Sequence, residues 1–221
     1  EANKLEQLRV ALHDGAYRAA LSTNLVSGFV VFGMRSAAVP LFVTEGMDRG
    51  ASLTGIGFLV AAAVQAAMLL PAGRMADTEG RRKALLIGTI CLTAGMVVLT
   101  MTDVAVNGLG THAVTGTGLF LLAMGIQGFS AAFLGSAPAA VVGDVMGGRK
   151  GGIVVATFQM MSDLGAVVGP LVAGFLVDSL DFDWAFAAGA GLSAVAVIFV
   201  VLMPETLNRQ RTTDSQRPAT A

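Results

Sequence analysis

Six long apolar runs, separated by short polar stretches, pattern this 221-residue chain. They fall at 18–44, 52–75, 82–102, 116–143, 151–178 and 184–203. A helix rising ~1.5 Å per residue needs roughly 20 apolar residues to cross a ~30 Å hydrocarbon core. Only helices and closed barrels cross without orphaning backbone groups, and these runs far exceed the ~10-residue alternating segments of a barrel strand. The pattern therefore predicts an all-α membrane protein with six transmembrane helices. Pro40, Pro138 and Pro170 lie inside the first, fourth and fifth runs, where neighbouring helices or cavity water can satisfy the freed carbonyls, so they predict bends rather than ends. Residues 1–17 place Leu5, Leu8, Val10 and Leu12 among charges, which predicts a cytoplasmic amphipathic linker. Residues 204–221 are polar and unpatterned, which predicts a disordered cytoplasmic tail. One membrane domain, 18–203, lies between them.

Composition agrees with the pattern. Hydrophobic residues make up 54% of the chain and charged residues 13%, against about 25% charged in a soluble domain, and the mean hydropathy is +0.72. The net charge of −1 is uninformative; its distribution is not. Lys4, Arg9, Arg18, Arg74, Arg81, Arg82, Lys83, Arg149, Lys150, Arg209, Arg211 and Arg217 all fall on one side of the six spans. Arg49 is alone on the other side, with Glu45, Asp48, Asp103, Asp178, Asp181 and Asp183. Lys and Arg accumulate in cytoplasmic loops, so the chain reads as multi-pass in the plasma membrane with both ends of this segment in the cytoplasm.

The same pass removes several function classes. The single cysteine, Cys91, permits no intramolecular disulfide and reads as a packing residue. No signal-peptide pattern precedes the first span. A phosphate-binding loop of the G-x-x-x-x-G-K-[ST] type is absent, as is a metal-ligand cluster, so neither cofactor nor metal is expected. Gly128-Phe129-Ser130 faintly resembles a nucleophile, but His13 and His112 lie outside the spans and supply no base, so no catalytic residue is assigned and the chain is not expected to be an enzyme. Nothing points to nucleic acid.

Polar side chains inside the spans are unevenly shared. The first span holds Asn24, Ser27 and Arg35; the second Gln65; the fourth Gln127, Ser130 and Ser136; the fifth Gln159, Ser162 and Asp163. The third and sixth hold no amide or ionised side chain in their interiors. This is a three-plus-three arrangement, and triplets with an odd number of helices insert with opposite topology, giving two inverted three-helix repeats. The third helix of each triplet is then expected to face lipid, and the first two protein or water. Asp163 lies near the midpoint of its span and Arg35 about 6 Å to the outer side of its own. An ionised residue at that depth costs about 2.5–3.5 kcal/mol, so it needs a partner or a wet cavity. Arg35, Gln65, Gln127, Gln159 and Asp163 are the candidate substrate and proton pathway. Structural roles stay open: Asp163 paired with an arginine or protonated, an Arg35–Asp163 pair as one possibility, and Gln65 and Gln127 as interhelical glue worth ~0.6 kcal/mol each. Asn24 and Ser27 lie nearer the inner surface, where solvation explains them.

Gly73-x-Met75-Ala76-Asp77-x-x-Gly80-Arg81-Arg82 resembles the cytoplasmic G-x-L-A-D-R-x-G-R-R/K loop motif of the major facilitator superfamily. Met75 replaces the leucine, Thr78 the usual basic residue, and Glu79 takes the variable position. Gly73 and Gly80 would permit a tight loop and the basic residues would hold it at the surface. The resemblance makes Gly73, Asp77, Gly80, Arg81 and Arg82 a conformational latch, with Asp77 meeting the positive end of a helix from the opposite half. Asp163-Leu164-Gly165-x-x-x-Gly169-Pro170-x-x-x-Gly174 resembles the Gly/Pro signature of drug:proton antiporters in the same superfamily. It implies a helix-bend motif at Gly165, Gly169, Pro170 and Gly174. Gly143-Asp144 with Arg149-Lys150-Gly151 resembles the link between the family's tenth and eleventh helices, and Pro204-Glu205-Thr206 the end of its sixth or twelfth. Gln127-Gly128-x-x-Ala131-Ala132 is similar to the fourth-helix motif, with Met124 where an intramembrane arginine is expected.

The missing arginine, the amphipathic entry segment and the polar ending favour the C-terminal six helices over the N-terminal six. The chain is then half of the fold, lacking its N-terminal six-helix partner; a dimerising six-helix protein is the alternative. The resemblance implies a secondary active transporter moving small organic molecules by alternating access, with pseudo-repeats rocking around a midplane site. Proton-coupled drug or metabolite efflux fits the Gly/Pro motif and apolar lining. Uptake of a sugar or metabolite, or a non-transporting subunit or sensor, are the alternatives. The implied partners are a small-molecule substrate, protons and the lipid bilayer.

Overall fold

The computed structural model describes residues 2–109, 113–147 and 151–207. A short helix α1, Ala2–His13, is followed by six helices long and apolar enough to cross a membrane. These are α2 (Gly15–Gly46), α3 (Ser52–Glu79), α4 (Arg81–Gly108), α5 (Ala113–Met146), α6 (Gly152–Ser179) and α7 (Phe182–Val201). No strand occurs among the described residues. The chain is a multi-pass membrane protein of all-α class.

Local chemistry explains where the elements stop. Asp14 caps α2, its carboxylate accepting from the amide of Ala16 at 2.9 Å, so the first membrane helix takes in Ala16 and Tyr17 from the expected linker. Glycine decides the next boundary. Gly80, at φ 121° and ψ 148°, is the sole break between α3 and α4; such a backbone suits only a residue without Cβ. Gly73, expected in the loop, is instead helical, because α3 runs unbroken to Glu79. The polar tail also begins later than expected: Met203 and Thr206 are buried against the bundle. Residues from Asn208 onward lie outside those described, as do Arg149 and Lys150.

The two triplets interlock. The first helix of each lies against the second helix of the other: α2 on α6, and α5 on α3. At both crossings backbone touches backbone. A Cβ added at Gly28 would stand 2.1 Å from the carbonyl oxygen of Ser162, and one at Gly128 2.2 Å from that of Ala61. Small residues permit such approaches where lipid supplies no hydrophobic drive between helices. α3 at Ser52–Glu79 and α6 at Gly152–Ser179 stand in the same register along the chain, as do Gly28 and Gly128. The expected three-plus-three repeat is thus visible in the packing.

Burial is uneven among the six helices. In their most apolar stretches α2 and α5 bury 61% and 56% of residues, but α3 and α6 only 11% and 17%. α4 and α7, expected to be the lipid-facing pair, pack on each other around Met96 and Gly189, and α4 also lies along α5 through Gly88 and Gly95. A helix without amides or charges can still present a packable face, and Leu85, Leu92, Met96 and Leu99 make one here. Exposed apolar faces lie on α3 and α6, at Leu59, Leu70, Val167, Leu171 and Phe175, and on the far sides of α4 and α7, at Ile90, Met101 and Ile198.

Candidate substrate cavity

Between α2, α3, α5 and α6 lies a cavity of about 280 Å³. Asn24, Ser27, Val31, Phe32 and Arg35 face it from α2. Asn24, Ser27, Val31 and Arg35 recur at intervals of three or four and so share one stripe of the helix, with Phe32 beside it. Gln65 enters from α3, Gln159 and Ser162 from α6, and the small or apolar Ala131, Leu134, Gly135 and Ala139 from α5. Three of the five pathway candidates, Arg35, Gln65 and Gln159, are therefore brought together. Asn24 and Ser27 join them, and the amide of Asn24 also donates to the carbonyl of Phe158 at 2.6 Å, tying α2 to α6.

Arg35 carries the one formal charge on this wall; among the described residues no carboxylate lines it. Its guanidinium carbon stands 5.7 Å from the centroid of the Phe58 ring, a cation–π contact. Its Nε and Nη1 are buried and meet no hydrogen-bond partner. Gln65 is half-buried and Gln159 exposed to the cavity side. The whole is a mostly apolar concavity with a few convergent polar groups, the usual character of a small-molecule site.

The other two candidates lie elsewhere. Gln127 is fully buried between α5 and α4, where its amide donates to the sulfur of Met96 at 3.8 Å. Its Cγ would be 2.7 Å from a Cβ on Gly95. Ser130 behaves similarly, donating to the carbonyl of Gly88 at 2.8 Å. Asp163 is exposed on α6 and does not line the cavity, and no ion pair joins it to Arg35 among the described residues. The reason is helical phase: the cavity takes Ser162, and the next residue is turned ~100° away. In the helix-bend motif, Gly165 and Gly169 seat the backbone of α2, with Cβ positions 2.3 Å from the Leu25 oxygen and 2.5 Å from the Phe29 oxygen. α6 continues through Pro170, which packs beside Gly33. Gly174 has open space around it and takes no part in the crossing.

A second polar cluster joins the α3–α4 turn to the ends of α5 and α7. Arg81 pairs with Asp77 one turn back and, through Nε, with Asp144 of α5 at 3.2 Å. The carboxylate of Glu205 accepts the amides of Arg81 and Arg82 at 3.0 and 3.2 Å, capping α4. Thr206 donates to Asp144 at 3.0 Å, and Arg82 to the carbonyl of Val201. Gly80 makes room for the cap, since a Cβ there would stand 2.4 Å from a Glu205 oxygen. Asp77 itself remains 69% exposed, and within this body the helix start is met by Glu205. Asp144, Glu205 and Thr206 read in sequence only as parts of a link and a helix ending. A charge following each span, within reach of basic residues at the next turn, was the available signal.

Comparison with known proteins bears on both regions. The chain is 27% identical over 129 residues to a multidrug transporter protein of Bacillus subtilis, covering 58% of this chain and 22% of that protein. It is 27% identical over 191 residues to multidrug resistance protein 2 of the same organism, covering 85% and 44%. A puromycin resistance protein of Streptomyces alboniger is 29% identical over 177 residues, covering 78% and 33%. The chain thus spans less than half the length of each of these relatives. Residues 25–220, which include every cavity residue but Asn24 and the whole α3–α4 turn, match the family model of the Major Facilitator Superfamily, and the six-helix chain belongs to that family of transporters.

Proposed function

We propose that the chain forms one six-helix half of a secondary carrier that exports small organic molecules by alternating access. The observation that carries this reading is the cavity between α2, α3, α5 and α6, apolar on its α5 side and polar at Arg35, Gln65 and Gln159. At about 280 Å³ it falls just below the usual ~300–1,000 Å³ of a drug-sized site, as expected if an opposite half supplies the remaining wall. The relatives' names, two multidrug proteins and a puromycin resistance protein, support export. The basic residues around the α3–α4 turn support a cytoplasmic position for that end of the bundle.

In this reading the exposed apolar faces of α3 and α6 meet the partner half, and the two halves rock about the cavity. Asp163, on the outward side of α6, then lies at that seam, where a carboxylate can gain and lose a proton as the seam opens. Asp77 is the latch residue: its carboxylate is exposed, and while Arg81 holds one oxygen the other engages the opposite half in one conformation. The decisive experiment drives the complete carrier in proteoliposomes with an imposed pH gradient and follows a panel of amphipathic compounds. Asp163→Asn is expected to remove the dependence of the transport rate on the gradient while leaving downhill flux. An unchanged rate and pH profile removes the coupling role.

A further inference from the structure

The chemistry of the cavity wall goes beyond a generic drug site. A guanidinium buried in a membrane protein ordinarily pairs with a carboxylate or backbone carbonyls, because desolvation costs several kcal/mol. Arg81 obeys that rule; Arg35 does not. Its Nε and Nη1 are buried without a partner, and no carboxylate lies among the lining residues. Phe58 covers the ring-facing side of the guanidinium and cannot accept its in-plane hydrogen bonds. The groups nearby, the hydroxyls of Ser27 and Ser162 and the amides of Gln65 and Gln159, can donate to further oxygens of an anion. Val31, Phe32, Leu134 and Phe158 offer surface for an apolar body.

We propose that Arg35 is the anchor for an anionic group and that the cavity takes amphipathic organic anions, such as carboxylates or sulfonates on an aromatic body. Deepening the carrier reading, the inference rests on it for the movement of the anion but not for its binding. A cation entering the same cavity meets a like charge in a low-dielectric wall with no carboxylate to offset it. The fork of a guanidinium also matches the spacing of carboxylate or sulfonate oxygens, which an ammonium does not.

The test uses the complete carrier and three aromatic probes: 1-anilinonaphthalene-8-sulfonate, its uncharged relative N-phenyl-1-naphthylamine, and tetraphenylphosphonium. Binding is measured by equilibrium dialysis in nanodiscs against empty nanodiscs, and transport as initial rates in proteoliposomes. The unmodified protein is expected to bind the sulfonate at least about tenfold more tightly than the uncharged relative once the empty-disc background is removed. Arg35→Gln is expected to erase that preference while leaving the uncharged probe within about twofold, and Arg35→Lys to restore part of it. Because the preference is read first on the unmodified protein, a variant that folds poorly does not decide the matter. Equal binding of sulfonate and uncharged probe, or preference for tetraphenylphosphonium, overturns the anion site. So does a sulfonate affinity unmoved by Arg35→Gln, the result expected if a carboxylate of the opposite half occupies the guanidinium. Transport of the uncharged and cationic probes without anion preference leaves the carrier reading standing and removes the anion site. Arg35-dependent sulfonate binding without transport of any probe does the reverse.

Discussion

Arg81 and Arg35 are two sheltered guanidinium groups in one bundle, and they are treated in opposite ways. At the α3–α4 turn, Arg81 has an 8% exposed side chain beside an Asp144 side chain exposed by only 1%, with Asp77 and the Glu205 cap completing the set. In the cavity, Arg35 has two donors with no acceptor and an aromatic ring for company. The first arrangement pairs its guanidinium with two carboxylates and is structural: each charge holds down an element end. The second is unsaturated. Arg35 stands on the cavity wall, where the proposed anion would complete it.

The contrast is sharpest under substitution. The largest effect is expected from Asp144→Ala, which leaves a buried Arg81 with only its exposed partner Asp77 and removes the acceptor of Thr206. Breaking a buried pair costs about 3 kcal/mol or more, visible as a marked drop in the unfolding midpoint of the protein in nanodiscs. Asp144→Asn, which keeps an acceptor for Thr206, is expected to lose less. Asp77→Ala removes an exposed partner of the same arginine, so its stability cost is expected to stay below about 1 kcal/mol. Its effect should instead fall on the balance of inward- and outward-open forms, read by cysteine accessibility or paired spin labels; an unchanged balance removes the latch role. Arg35→Gln is expected to change stability least, with a midpoint equal to or slightly above that of the parent, because no hydrogen-bond partner is left unpaired. A loss as large as that of Asp144→Ala would erase the distinction between the two sites.

The spans were legible because an apolar run of membrane length has one economical interpretation, and the inverted triplets because the amides and charges avoid the third and sixth helices. Arg35 was legible by depth alone. Depth does not give direction, however, and direction separated Ser162, which faces the cavity, from Asp163, which does not. On α2 the stripe Asn24, Ser27, Val31, Arg35 carried the needed phase information, at three- and four-residue spacing. On α6 nothing in the sequence says which helix Gly165 and Gly169 embrace; only the crossing with α2 fixes its rotation. Burial was least legible. The exposed faces of α3 and α6 are as apolar as the buried face of α4, and a hydrophobic side chain reads the same whether it meets a helix or lipid. The polar cluster at the α3–α4 turn was half visible: Asp77 and Arg81 stand in the motif, but Asp144 and Glu205 lie 63 and 124 residues from Arg81 in sequence.

The crossed pairing of triplets has a consequence for how the protein is made. Of the two helices in this crossing α2 leaves the ribosome before α6, yet the glycine-lined seat it requires is on that later helix, Gly152–Ser179. At synthesis rates of ~5–20 residues per second, roughly 10 seconds pass between the two. Throughout that interval the glycine contacts of α2 with α6 cannot form, so this crossing closes only after the fifth of the six long helices has been made.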